Sequence, residues 1–302
     1  MSRTGTLDRV APPAPAAAPS GLGPLTRLGR VVLGTPAQLV LICWAIIVCV
    51  PMLWSFVSSF KSDAEIFESP WSLPEVWHWD NFVRAWNQSN IGSYFLNTII
   101  VVSLGLILTL VLSSVVAYVL AQFRFFGRTF LYYLFVGGMA FPGFLALVPL
   151  FFVVKNLGLL NSYGGLIIVY ATQSLSFSVF FLTAFFRSLP MELAEAALLD
   201  GAGHWRVFWS VMLPLARPGL ISIGIFDFLG MWNQYVLPIV LITDPSKFVI
   251  GQGLANLAVN QGYASDFSGL FAGLTIATVP VLLVYLIFQR KITAGMTVGA
   301  LR

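Results

Sequence analysis

The side chains able to do chemistry in this sequence are few, and most are uncharged. Asp227 stands inside a long apolar run, with Met231 and Gln234 on the same helical face at i+4 and i+7, and with Trp232, Asn233 and Tyr235 close by. A second polar run, Thr172, Gln173, Ser174, Ser176 and Ser178, sits beside Tyr170 and Phe177 in another apolar stretch. Amides, a carboxylate and aromatic faces are what bind sugars, by hydrogen bonds and stacking, and polar groups at lipid depth mark solute paths. The plainer reading is hydrogen bonding between helices, which such side chains supply in membrane bundles. Both readings stand for the candidate substrate-pathway residues Asp227, Trp232, Asn233, Gln234, Tyr170 and Gln173. An enzyme at this depth would need a nucleophile–base pair or metal ligands. Asp227 is the one carboxylate well inside a span, and His78 and His204 have no ligand-spaced companions, so neither catalytic residues nor a metal site are expected. There is no G-x-x-x-x-G-K-[ST] phosphate loop, so the chain is not itself an ATP hydrolase and is expected to bind no cofactor.

Membrane helices must position these groups. Apolar residues make up 58% of the 302, charged residues only 9%, and mean hydropathy is +0.87. Soluble domains run at about 45–50% apolar and about 25% charged, so lipid is the solvent for most of this chain. The apolar runs are twice the length of barrel strands and do not alternate, which makes the fold class an all-α membrane protein. Six transmembrane helices are expected near 37–58, 94–121, 130–154, 165–186, 219–243 and 269–288. Residues 1–35, rich in Ala, Pro and Gly, read as a disordered cytoplasmic tail without a secretory cleavage pattern, and 36–302 as the transmembrane domain. With the N-terminus inside, only Lys61, Arg84, Lys155 and Lys247 of the 16 Lys and Arg fall outside, so both termini are placed in the cytoplasm. No basic block points to nucleic acid. Cys43 and Cys49 lie on different faces of the first span and read as small buried groups. Pro142 and Pro149, after Gly137-Gly138, are expected to break hydrogen bonding in span three.

Two segments outside the spans carry a pattern. In the outer segment, Trp79, Phe82, Val83 and Trp86 form one helical stripe, predicting a short amphipathic helix at the interface, either an aromatic anchor or a docking surface. In the cytoplasmic segment from about 187 to 217, Ser188-Leu189-Pro190 reads as a helix start and Met191–Leu199 as a helix with Glu192 and Glu195 early in it. Asp200-Gly201 ends that helix, and His204–Met212 forms a second with Trp205, Phe208, Trp209 and Met212 on one apolar stripe, stopped by Leu213-Pro214. This is a helix–Gly–helix element with bulky apolar residues at the cytoplasmic face. It reads either as an interfacial hairpin or as a knob for a cytosolic partner.

The spacing Glu195-Ala196-Ala197, Gly201, Val211, Leu213-Pro214 resembles the EAA loop of permease subunits of binding-protein-dependent ABC importers. Ser59-Phe60-Lys61, Ala121-Gln122-Phe123-Arg124-Phe125, Trp232-Asn233 and the terminal Gln289-Arg290-Lys291 to Gly299 are similar to the carbohydrate branch, and specifically to the second permease of maltose-type systems. The resemblance implies a type I ABC importer permease fold in the cell membrane. It implies as partners a second homologous permease, an ATPase homodimer or heterodimer holding ATP and Mg, and an extracytoplasmic solute-binding protein. It places Glu195, Ala196, Ala197, Asp200, Gly201, Leu213 and Pro214 at the ATPase-coupling element and makes the cargo a sugar or oligosaccharide. A non-sugar solute (polyamine, amino acid or phosphate) stays open, because the EAA loop does not distinguish cargoes. A self-contained channel or ion-coupled carrier would leave the helix–Gly–helix element without a role.

Overall fold

The computed structural model describes residues 24–264 and 266–298, with side chains over 38–259 and 266–289. Every regular element among the described residues is helical, as lipid requires of backbone that has no water to bond. Four helices are long and apolar enough to cross a membrane alone, and the number is six when each of two bent pairs, Arg128–Ala140 with Gly143–Asn156 and His204–Leu215 with Arg217–Trp232, counts as one span. The chain divides after Leu53 into two units. The first contributes most of α1 (Pro24–Ser58). The first part of the expected tail lies outside the described residues, while from Pro24 onward it is helical. Cys43 and Cys49, expected to be buried, are exposed on α1. A thiol is a small apolar group that hydrocarbon accepts as readily as a protein core does.

In the second unit the outer segment is knotted around Ser59-Phe60-Lys61. Lys61 is fully buried, and its Nζ donates to the carbonyls of Ser69 (2.8 Å) and Pro70 (3.2 Å) and to Ser72 Oγ (3.3 Å). Phe60 meets Trp77, Trp79 and Phe82 edge-on or tilted. α2 (Asp63–Glu68) opens on a capping box in which Ser62 and Glu65 bond each other's backbone N–H. α3 (Asp80–Asn87) is the expected short helix, and it buries Asn81 and Ala85 while leaving Trp79, Val83 and Trp86 exposed along the predicted stripe. Asn81 Nδ2 donates to the Ser59 and Lys61 carbonyls, and Arg84 Nη2 donates to Asn81 Oδ1 and Ser268 Oγ.

α4 (Ile91–Gln122) has its most extensive packing against α7 (Tyr163–Ser188). The buried face of α4 includes Thr98, Gly105, Thr109, Ser113 and Ala117, small groups that let helices close in. Between them the third span is not one helix. α5 (Arg128–Ala140) and α6 (Leu147–Asn156) are bent by 95° across a 3₁₀ turn, Gly143–Ala146. Pro142 sits at that break, as expected. Pro149 breaks nothing, because it lies in the first turn of α6, where its missing N–H would have had no intrahelical partner.

Two short helices, α8 (Glu192–Leu199) and α9 (His204–Val207), follow α7, and α10 (Leu213–Leu215) leads into α11 (Arg217–Trp232). The expected fifth span 219–243 is interrupted at 233–235 before α12 (Val236–Leu241). Asn233 Nδ2 bonds the Leu229 carbonyl at 2.8 Å, a local side-chain bond of the kind that competes with the helix ladder. The segment after it, between the expected fifth and sixth spans, holds α13 (Ile250–Ala264), seated by buried Ile250 and Leu254. α14 (Phe267–Val298) completes the fold with Pro280 in its interior.

Buried apolar residues gather in two cores. One joins Ile91, Tyr94, Tyr170, Trp232, Leu237 and Ile250, and the other joins Ala117, Tyr118, Phe186, Ala194, Phe208, Met212 and Ile223. The second core binds the 187–217 segment to α4, α7 and α11 as one packed body.

Candidate functional site

The 187–217 element is folded by its own caps. Ser188-Leu189-Pro190 does not start the helix. Ser188 ends α7 with its hydroxyl on the Phe185 carbonyl, and Met191 is the residue before α8. The end of α8 is a Schellman motif: the Ala202 N–H reaches the Ala197 carbonyl and the Gly201 N–H the Leu198 carbonyl, both at 3.0 Å. This geometry puts Gly201 at φ +85°, with open space where a Cβ would lie, so backbone strain and not crowding demands glycine there. Ala194 is buried and Ala197 and Ala202 pack on the same core, which seats α8 on its alanine face. Glu195, Ala196, Asp200 and Gly201 are left outward.

The second half departs from expectation in two ways. Pro214 does not stop the helix. A π-turn, Phe208–Met212, precedes it, in which the Leu213 N–H bonds the Phe208 carbonyl five residues back, and the chain stays helical through Leu215. The wider turn accommodates a ring that would otherwise press on the preceding carbonyls. The stripe is also split: Phe208 and Met212 are buried, whereas Trp205 and Trp209 are exposed. Leu213 and Pro214 are half-buried. The outward surface thus carries Met191, Leu193, Leu199 (89% exposed), Trp205 and Trp209, an apolar patch of the kind that marks a protein interface.

The candidate pathway residues are not brought together. Asp227 is buried, and its Oδ2 lies 2.8 Å from Ser178 Oγ, tying α11 to α7. Met231 is buried on the same helix, but Gln234 has left that face, and its Oε1 accepts from the Val236 N–H beyond the helix end. Tyr170 is buried and its hydroxyl has no partner among the described residues. Trp232 is buried with Nε1 on the Ala277 carbonyl. Helix packing therefore absorbs Asp227 and the Trp232 N–H, and buries the Tyr170 ring.

Two open regions hold the remaining candidates. A cavity of about 700 Å³ between the broken third span and α7 is lined by Thr172, Gln173, Ser176 and Phe177. A second, of about 310 Å³, lies where α11 gives way to α12, against α13 and α14, and is lined by Trp232, Asn233, Tyr235, Leu254 and Thr278. Asn233 and Tyr235 are exposed at it. α13 comes close here: a Cβ on Gly251 would lie 3.0 Å from the Gln234 carbonyl oxygen and 3.2 Å from Tyr235 Cβ. The contribution of α13 was missed from sequence, although Ile250, Leu254 and Leu257 at i, i+4 and i+7 could have shown a helix.

Residues 110–298 match the model of a family described as the binding-protein-dependent transport system inner membrane component. The chain is 53% identical to the diacetylchitobiose uptake system permease protein NgcG of Streptomyces coelicolor, over 87% of both chains. It is 30% identical to the trehalose transport system permease protein SugB of Mycobacterium tuberculosis, covering 83% of this chain and 92% of that one. Among solved structures, a chain of a bacterial ABC transporter that imports the acidic polysaccharide alginate superposes with a TM-score of 0.77 at 24% identity, covering 87% of this chain and 97% of that one.

Proposed function

Since the chain belongs to the binding-protein-dependent transport system inner membrane components, as a permease subunit of an ATP-driven ABC importer, we propose that it forms half of the path for a sugar or short oligosaccharide. It is a multi-pass membrane protein and not an enzyme. The observation that carries the reading is the 187–217 element, a preformed knob with an apolar outward face, built into the same core as α4, α7 and α11.

ATP and Mg would reside on an ATPase homodimer or heterodimer docked against that knob, with Glu195, Ala196, Asp200 and Gly201 at the contact and Ala197 and Leu213-Pro214 behind it. A second homologous permease would complete the path, and an extracytoplasmic binding protein would deliver the solute, which makes the cytoplasmic membrane the site of action. When the ATPase halves close, α8 would move as a lever. Because its alanines share a core with Tyr118, Phe186 and Ile223, the push passes to three spans together, the requirement for alternating access. Relatives named for diacetylchitobiose and trehalose support a saccharide cargo, and the amide of Asn233 and the ring of Tyr235 at the open break in span five suit one.

Uptake of a labelled sugar panel by cells with and without the gene tests this, with amino acids, polyamines and phosphate as controls. Loss of one sugar supports the reading and names the cargo. Loss of a control solute with all sugars entering overturns the saccharide assignment in favour of the non-sugar importer.

A further inference from the structure

The ion pairs among the described residues, His78–Asp80, Arg84–Asp266 and Lys247–Asp244, all lie on the side assigned to the outside. At the opposite end of the bundle two arginines come together with no carboxylate. Residues 123–127 alone join α4 to α5, so Arg128, the first residue of α5, stands at the inner end of both helices. Its Nε and Nη2 donate to the Leu120 and Ala121 carbonyls, at 2.9 and 3.4 Å, where α4 runs out of intrahelical donors. Arg187 lies in the last turn of α7, and Gln122 Nε2 donates to the Phe186 carbonyl at 3.4 Å, which sets the ends of α4 and α7 side by side. Tyr132, one turn beyond Arg128 on the same face of α5, carries the Arg187 guanidinium over its ring, 5.2 Å from the centroid. Arg187 is exposed, and this ring is its one polar contact among the described residues. The turn between α4 and α5 adds apolar surface: Phe126 is fully exposed and Phe125 is 39% exposed, with exposed Arg124 before them. Phenylalanines flanked by arginines at the end of a span suit the boundary between headgroups and acyl chains.

We propose that the inner ends of α4, α5 and α7 form a site for an anionic phospholipid of the cytoplasmic leaflet, its phosphate held by Arg128 and Arg187 and its upper acyl chain against Phe125 and Phe126. Guanidinium forks match phosphate oxygens, and basic groups between membrane helices on this side take acidic headgroups. A phosphate there would also screen two cations that otherwise repel each other. Arg187 stands four residues before Met191, the residue ahead of α8, so the bound lipid would steady the joint between span four and the 187–217 element. The site does not depend on which solute is carried.

The test is binding of phosphatidylglycerol with a fluorescent acyl chain to the full-length protein in a neutral detergent, with phosphatidylcholine and inorganic phosphate as competitors. Unlabelled phosphatidylglycerol is expected to displace the probe, and neither competitor to do so at the same concentration. Arg187→Gln is expected to weaken binding about tenfold, the worth of one charge-assisted hydrogen bond. Tyr132→Leu, which keeps both charges and removes the ring beneath one of them, is expected to weaken it about threefold. If Arg187→Gln does not reach the membrane, Tyr132→Leu decides. Wild-type affinity in the variants overturns the site. Displacement by phosphatidylcholine would reduce binding to apolar adsorption, and displacement by inorganic phosphate would remove the lipid as its source; either overturns the proposal. Loss of probe binding once the ATPase partner is added would assign the arginines to that contact and overturn the lipid assignment.

Discussion

At the scale of single residues, exposure and backbone conformation divide side chains that look equivalent in sequence. Gly201 at φ +85° closes the Schellman turn with nothing near its Cβ. Gly201→Ala is therefore expected to cost about 1–2 kcal/mol of local strain, and Gly201→Asp to add a charge at the outward tip. Both should leave the protein in the membrane, and Gly201→Asp should separate ATP hydrolysis from transport. Normal uptake by that variant, measured beside ATPase activity, would argue against a coupling role. Asp227 and Asn233 invert the intuition that the charge matters most. Asp227 is buried against Ser178, and Ser178 Oγ keeps a second bond to the Ser174 carbonyl at 2.9 Å. Interhelical bonds of this kind average about 0.6 kcal/mol, so Asp227→Asn should leave uptake KM within about twofold of wild type. Asn233→Ala, at an exposed amide, should raise KM by about fivefold, the worth of one hydrogen bond. An unchanged KM for Asn233→Ala with a large rise for Asp227→Asn would reverse the assignment.

At the scale of elements, the long spans and the helix–Gly–helix loop were legible because periodicity and turn residues are local signals. The places where reading failed are those where tertiary context decides. Pro214 reads as a stop until a π-turn is allowed for, and Pro149 reads as a kink until α6 is seen to begin just before it. At the break after Asn233, Gly251 of α13 lies against Gln234 and Tyr235, a contact between separate elements that no local pattern announces. For the same reason the sequence offered six polar candidates for the path, and packing removed several of them. The outer segment shows the complementary case of a local motif with a distant reach. The backbone N–H groups of Ser62 and Glu75, with the Ser62 hydroxyl, hold the Glu65 carboxyl below its ordinary range. A depressed carboxyl stabilises the fold above its unfolded value, near ~4.3, and that contribution is lost as pH falls through the folded value. Thermal midpoints of the purified protein should accordingly drop as pH is lowered below about 4.3, and Glu65→Gln should be less stable near neutrality with a flatter acid limb. Parallel acid limbs for the two proteins would assign the loss to other carboxylates.

At the scale of the whole molecule, the charge bias that orients the chain has a structural counterpart. Of the four basic residues assigned to the outside, Lys61 is fully buried on backbone carbonyls, Arg84 bonds Asn81 and Ser268, Lys247 bonds the Asn161 carbonyl, and Lys155 is exposed. On the other side Arg124, Arg187, Arg206 and Arg217 are exposed. Among the described side chains, exposed positive charge therefore also falls mainly on the side assigned to the cytoplasm, in line with the count of Lys and Arg near span ends that sets orientation. This asymmetry predicts which exposed positions an impermeant reagent reaches in intact cells. With Cys43 and Cys49 replaced by alanine, Trp71→Cys in the outer segment should be labelled by a charged maleimide, since Trp71 is 76% exposed. Leu199→Cys, at the tip of α8, should be labelled only after the membrane is opened, and more slowly once the ATPase partner is expressed with it. Labelling of Leu199→Cys alone in intact cells would invert the topology. Labelling of both would mean that an even number of crossings separates the two segments, and the third span, bent by 95° at Pro142, is where the chain would turn back instead of crossing.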